Sequence, residues 1–152
     1  MAPADENSTK ALVRAAAAYD GPVFIRCGRP KAPVVYGADQ KFEIGKSVEV
    51  AAGGDITLIA NGLLVAQALL AADLLEAEGV SARVIDMHTA KPLDRDAIGR
   101  AAAETGAIVV AEEHLVDCGL GVRVAQVVAE TNPCAMEFVG IHNRYEIGRA
   151  HV

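Results

Sequence analysis

Over residues 1–18 the apolar positions Leu12, Val13, Ala16 and Ala17 form one stripe at helical spacing. Asp5 or Ser8 can cap the start of this segment, and Glu6 suits the positive end of a helix dipole. The spacing therefore predicts a helix ending near residue 18. Asp20-Gly21-Pro22 stops it, and Val23-Phe24-Ile25 reads as a short buried strand. One helix and one strand bury too little surface to fold alone. Residues 28–36 contain Pro30 and Pro33 and read as an extended linker, followed by a polar stretch over residues 37–41. Val48 and Val50 then alternate with Ser47 and Glu49, which suits a half-buried strand, and Gly53-Gly54-Asp55 turns the chain.

From Asp55 onwards the pattern changes. Ile56-Thr57-Leu58-Ile59-Ala60 is a continuous run, as expected of a strand covered on both faces. Residues 63–78 read as a helix with Leu63, Ala66, Leu69, Leu70, Leu74 and Ala77 on one broad face, stopped by Gly79. Residues 83–87 are the next strand. Asp94 caps a helix to about residue 105, and Gly106 stops it. Residues 108–111 are a strand, residues 120–130 a helix and residues 136–139 a last strand. Alternating strands and helices with short connections mean βαβ units. The expected fold is α/β, three layers, with a mainly parallel five-stranded sheet containing one antiparallel strand.

Composition narrows the picture. A chain of 152 residues with 52% hydrophobic positions can bury one core. Aromatics are only 4%, and alanine supplies much of the apolar content, so close-packed helices are expected. The net charge of −6 argues against a nucleic-acid surface. The sequence has no run of eighteen apolar residues and no signal peptide at its start, so a cytoplasmic location is expected. Cys27, Cys118 and Cys134 are far apart and read as small buried apolar residues in a reducing compartment.

Candidate chemistry gathers at strand ends, where open parallel sheets bind ligands. Those residues are Asn61-Gly62, His88-Thr89, Glu112-Glu113-His114 and residues 140–144. A carboxylate beside His114 could set its tautomer, although successive strand residues face opposite ways, so Glu112 and Glu113 cannot share a pocket. The alternative is a polar strand end at a contact surface. Gly119-Leu120-Gly121 reads as a tight strand-to-helix turn in preference to a phosphate cradle, because the third glycine of a dinucleotide fingerprint is missing. His88 and His142 stand alone, and no His/Cys/carboxylate set has metal-ligand spacing. Arg26 and Arg29, near Lys31, can bind a phosphate or carboxylate, or form a solvated basic turn. No residue is placed to act as a nucleophile, so no catalytic residue is assigned.

An ordered set of segments resembles a known family. They are residues 21–30 (Gly-Pro-Val-Phe-Ile-Arg-Cys-Gly-Arg-Pro), residues 42–46 (Phe-Glu-Ile-Gly-Lys) and residues 55–62 (Asp-Ile-Thr-Leu-Ile-Ala-Asn-Gly). Residues 86–94, Glu112-Glu113-His114, Gly119-Leu120-Gly121 and residues 139–145 complete it. In this order and spacing they resemble the C-terminal part of transketolase, above all the C-terminal subunit of its split form, over about residues 2–145. Deoxyxylulose-phosphate synthase and the β subunit of 2-oxo-acid dehydrogenases share this domain. The Gly-Ile-x-x-Arg-aromatic ending favours transketolase or the synthase, and Phe42 to Lys46 favours transketolase.

The resemblance implies a parent that moves a two-carbon ketol unit between sugar phosphates, using thiamine diphosphate and magnesium. It places the cofactor, the metal ligands and the activating glutamate elsewhere in the parent, so this chain binds no cofactor or metal alone. It implies that residues 1–29 are a remnant of the pyrimidine-binding middle domain, with residues 30–54 a linker and first strand. Residues 55–145 would be the C-terminal domain, which serves architecture and dimer packing. Arg29 aligns with an arginine that binds the substrate's phosphate. The partners implied are the remaining transketolase domains or an N-terminal subunit, in a homodimer; a stand-alone interaction module is the alternative. The severed helix is expected to expose its Leu12/Val13 face. Residues 146–152 depart from the family. A common short-read sequencing adapter encodes this string in frame, so adapter read-through on a metagenomic fragment is expected there, with Met1 an internal methionine.

Overall fold

The computed structural model describes residues 1–29 and 31–143. The proposed adapter segment and the family's Arg-aromatic ending lie outside the described residues. Helix α1 spans Glu6–Ala18. Strand β1 (Val48–Ala51) and strand β2 (Ile56–Ala60) follow, then helix α2 (Leu64–Ala77) and strand β3 (Ala82–Asp86). Helix α3 (Arg95–Thr105), strand β4 (Ala107–Leu115), helix α4 (Leu120–Glu130) and strand β5 (Ala135–Ile141) complete the order.

The sheet runs β1-β3-β2-β4-β5. β1 is antiparallel to β3, and the pairs β2–β3, β2–β4 and β4–β5 are parallel. Both faces are covered, as the apolar runs require. Ile59, Ile85, Ile108 and Val110 pack with α3 and α4 through Ile98, Leu120, Val124 and Val127. Leu58, Ala60 and Val84 face the other way, towards Val65, Ala68 and Ala72 of α2. Alternation along each strand thus divides its side chains between two helical layers.

Asp94 caps α3 as expected: its Oδ1 accepts from the Ala97 amide at 3.2 Å, while Oδ2 accepts from the Ser47 amide at 2.8 Å. Gly106 ends the helix at φ +67°, a left-handed conformation that glycine adopts without a Cβ clash. Asp5 caps α1 and Ser8 completes a capping box.

Four expectations are corrected. Val23-Phe24-Ile25 is not a strand: it has no neighbour to pair with among the described residues, and Phe24 is 79% exposed. Leu12 is fully buried, and only Val13 of the expected exposed face lies open, half-exposed. The inner face of α2 is built from Val65, Ala66, Ala68 and Ala72, while Leu70 and Leu74 point outwards. Small side chains let this helix approach the sheet closely, and its all-round apolarity hid which face did so. Cys27 and Cys118 are exposed and Cys134 is half-buried, because the first two lie in connections rather than in sheet or helix interiors.

Candidate functional site

In a doubly wound sheet the open position lies where adjacent strands send their connections to opposite sides. Here that crevice lies between the carboxyl ends of β2 and β4, because β2 leads through α2 to β3 and β4 leads through α4 to β5. Asn61 follows β2 and Glu112 belongs to β4. Arg26 enters between them from the N-terminal segment. Its Nη1 donates to the Glu113 carbonyl at 2.7 Å, and its Nη2 lies 3.4 Å from both Asn61 Oδ1 and Glu112 Oε1. Asn61 Nδ2 donates to the same Glu112 Oε1 at 3.2 Å.

The other Glu112 oxygen accepts from the Leu120 amide at 2.5 Å, at the first turn of α4. A free helix N-terminus attracts anions, and here the chain supplies its own. Gly119 makes this possible. A Cβ there would lie 2.4 Å from Glu112 Oε2 and 2.9 Å from the Leu115 carbonyl. The Gly119-Leu120-Gly121 turn is thus a tight strand-to-helix connection whose amide end is already filled. Glu113 is exposed, and His114 keeps to the turn, with Nδ1 3.1 Å from the Leu115 carbonyl. Of the cluster read from Glu112-Glu113-His114, Glu112 and His114 share the small space beside Gly119, while Glu113 lines a different cavity.

Arg29 is exposed and forms no ion pair among the described residues. It lines a cavity of about 410 Å³ with Arg26, Cys27, Gly62, Leu63 and Glu113. Lys31 borders a neighbouring cavity instead, so the three cations do not converge.

A second polar cluster went unrecognised in the sequence. Asp86 ends β3 fully buried, and Tyr36 Oη donates to its Oδ2 at 2.6 Å. Burial pushes the Asp86 carboxyl up to about 7, the Tyr36 bond holds it back in part, and Asp5 adds to the rise. Burial, the Asp86 charge and their mutual bond raise the Tyr36 phenol well above its ordinary range. His88, two residues on, is also fully buried, with its ring edge-to-face on Phe42 at 5.2 Å. Burial and the Met1 ammonium press its pKa down to about 4, against Asp94. Among the described residues Asp86 Oδ1 and His88 Nε2 find no partner. The signal was a charged residue closing an apolar run, but its partner Tyr36 lies in a loop fifty residues away.

Thiamine diphosphate with a divalent metal needs an anion cradle and a set of metal ligands. The α4 amide end is filled by Glu112, and among the described residues no group of three or more His, Cys, Asp or Glu could hold a metal ion. The residues present do not fit that group.

Fold and crevice together define a doubly wound α/β domain whose switch point is closed by its own chain. Residues 45–145 match the family described as transketolase, C-terminal domain, and the chain belongs to that family. It is 39% identical over 147 residues to a 6-deoxy-6-sulfo-D-fructose transketolase subunit of Clostridium sp. (strain MSTE9), covering 96% of this chain and 46% of that protein. It is 37% identical over 131 residues to a putative transketolase C-terminal section of Methanocaldococcus jannaschii, covering 85% and 40%. A 1-deoxy-D-xylulose-5-phosphate synthase of Heliobacterium modesticaldum is 38% identical over 149 residues, covering 95% and 23%. Among solved structures, a split-gene transketolase described as an inactive β4 tetramer superposes with a TM-score of 0.91 at 46% identity. That match covers 92% of this chain and 47% of the other. The chain thus spans less than half the length of these relatives. Among the described residues no helix is long and apolar enough to cross a membrane.

Proposed function

We propose that this chain is the C-terminal part of a transketolase, structural by itself and inactive until joined to the rest of the enzyme. The observation that carries this reading is the crevice: the one position where such a sheet opens to a ligand is closed by Arg26, Asn61 and Glu112. The inactive tetramer formed by the split-gene relative supports it. The parent transfers a two-carbon ketol unit between sugar phosphates in the pentose phosphate pathway, with thiamine diphosphate and magnesium held by its other domains, in a cytoplasmic homodimer. Residues 1–29 are the end of the middle domain, residues 30–54 the linker and first strand, and residues 55–145 the C-terminal domain. Arg29 binds the phosphate of the sugar. Its exposure, its place beside Arg26 in an open cavity and the suitability of a guanidinium for bidentate phosphate contact support that role.

The test is reconstitution. The chain alone is expected to show no ketol transfer and no calorimetric signal with thiamine diphosphate and magnesium, and the missing N-terminal part is expected to supply both. Ketol transfer or tight cofactor binding by this chain alone would overturn the reading. The relative from Heliobacterium modesticaldum favours a second reading, a synthase. Formation of 1-deoxy-D-xylulose 5-phosphate by the completed enzyme would establish it.

A further inference from the structure

Glu112 has more partners than a helix cap requires. Its side chain is only 12% exposed, and its carboxylate joins three separate segments: the start of α4 through the Leu120 amide, the end of β2 through Asn61, and the N-terminal segment through Arg26. The space for it is built in, because any side chain at position 119 would collide with Oε2. Arg26 is fixed at its backbone as well, where its amide donates to the Met1 carbonyl at 2.9 Å. With Nη1 on the Glu113 carbonyl, the guanidinium spans the β2–β4 crevice. Arg29 follows three residues later, on the wall of the same cavity.

We propose that Glu112 is a positioning residue: by holding Arg26 across the crevice it sets where Arg29 meets the phosphate of a sugar phosphate. This rests on the reading of Arg29 given above. The contacts of the Glu112 carboxylate with Arg26 and with the Leu120 amide are both charge-assisted, but the Leu120 amide still finds an acceptor oxygen in a neutral side-chain amide, whereas Arg26 loses its opposite charge. Glu112→Gln keeps such an oxygen for α4 and removes the charge that faces Arg26. Arg26→Ala removes the other partner and leaves the cap of α4 intact.

The experiment uses the complete enzyme that contains this chain, with a phosphorylated aldose and its unphosphorylated counterpart as acceptors. Glu112→Gln and Arg26→Ala are each expected to raise KM for the phosphorylated acceptor roughly tenfold more than KM for the unphosphorylated one, the size of one charged hydrogen bond. kcat should change little, and the double variant should be no worse than either single one. Arg29→Ala is measured alongside. If Arg29→Ala shows the selective KM effect and neither other variant does, positioning by Glu112 is overturned and the Arg29 reading stands. If Arg29→Ala shows no selective effect, the Arg29 reading fails and takes this proposal with it. An equal loss with both acceptors in Glu112→Gln, with a lowered Tm, would mark Glu112 as a helix cap alone and overturn the proposal.

Discussion

Asp86 shows how a single buried group can set the pH response. Its ordinary pKa of 3.8 rises to about 7 in the fold, chiefly through burial. Between those values the native state holds a proton that the unfolded chain has released, so this group's contribution to stability falls as pH rises. His88 acts oppositely. Its pKa drops from 6.5 to about 4, so the unfolded chain binds the extra proton and stability rises over that window. The two slopes oppose each other in the unaltered chain. Asp86→Asn keeps an oxygen for the Tyr36 hydroxyl and removes only the falling slope. Urea midpoints measured from pH 4 to 7 should therefore climb in Asp86→Asn and stay comparatively flat in the parent, the two separating by the equivalent of roughly a few kcal/mol. Identical profiles would place the Asp86 pKa near its ordinary value. Only the charged end of an apolar run is legible in the sequence, not the burial it leads to. An aspartate closing Val84-Ile85 gives no hint that a tyrosine from a distant loop will bury it.

Elements were far more legible. The pattern predicts a helix over residues 120–130, and α4 spans those residues, because an apolar stripe at helical spacing leaves little choice. Segments failed where a neighbour decides the outcome. Val23-Phe24-Ile25 has strand composition, but a strand exists only when another pairs with it. The apolar run predicts a strand over residues 108–111, whereas β4 runs to Leu115, because β5 extends with it as far as Ile141. The connection from β4 to α4 has a steric signature that the sequence hinted at through its glycines. Gly119→Ala would drive a methyl group against Glu112 Oε2 and the Leu115 carbonyl, and backbone cannot move aside as a side-chain tip can. A loss of about 1–3 kcal/mol is expected, as for other overpacked sites. Gly54→Ala is the control: its Cβ would meet nothing within 4 Å, so a change within roughly 0.5 kcal/mol is expected. Equal urea midpoints for the two variants would contradict the clash.

At the scale of the molecule the open matter is how the N-terminal segment belongs to the rest. A severed helix from another domain would be expected to hang loose. The contacts are those of a docked element. Ala2 donates to the His88 carbonyl at 2.8 Å and accepts from the Gly62 amide at 3.1 Å, lying across the ends of β3 and β2. Asp5 Oδ2 accepts from the amides of Val35 and Tyr36 at 2.8 and 2.9 Å. Burial alone would raise the Asp5 pKa, yet the Ser8, Tyr36 and Val35 amides outweigh it and hold the carboxyl below its ordinary value. With Leu12 fully buried, α1 is tied at its start to the loop at Val35 and Tyr36 and buried in its middle. Residues 20–25 are tied to the other described residues only through the Phe24 carbonyl, which accepts from the Met1 ammonium at 2.6 Å, and the Phe24 side chain stands open. Local opening follows buried contacts and paired amides, so the two halves of the segment should separate in hydrogen exchange. The amides of Gly62, Tyr36 and the inner face of α1 are expected to exchange slowly, with those of Val23 and Phe24 near the free-chain rate. Rapid exchange throughout α1 would show that the helix is undocked in solution. Slow exchange at Val23 and Phe24 would show that this chain, or a second copy of it, covers the segment. If the proposed function holds, adding the N-terminal part of a transketolase should slow exchange at Val23 and Phe24, since an extended apolar segment gains protection once a strand pairs with it.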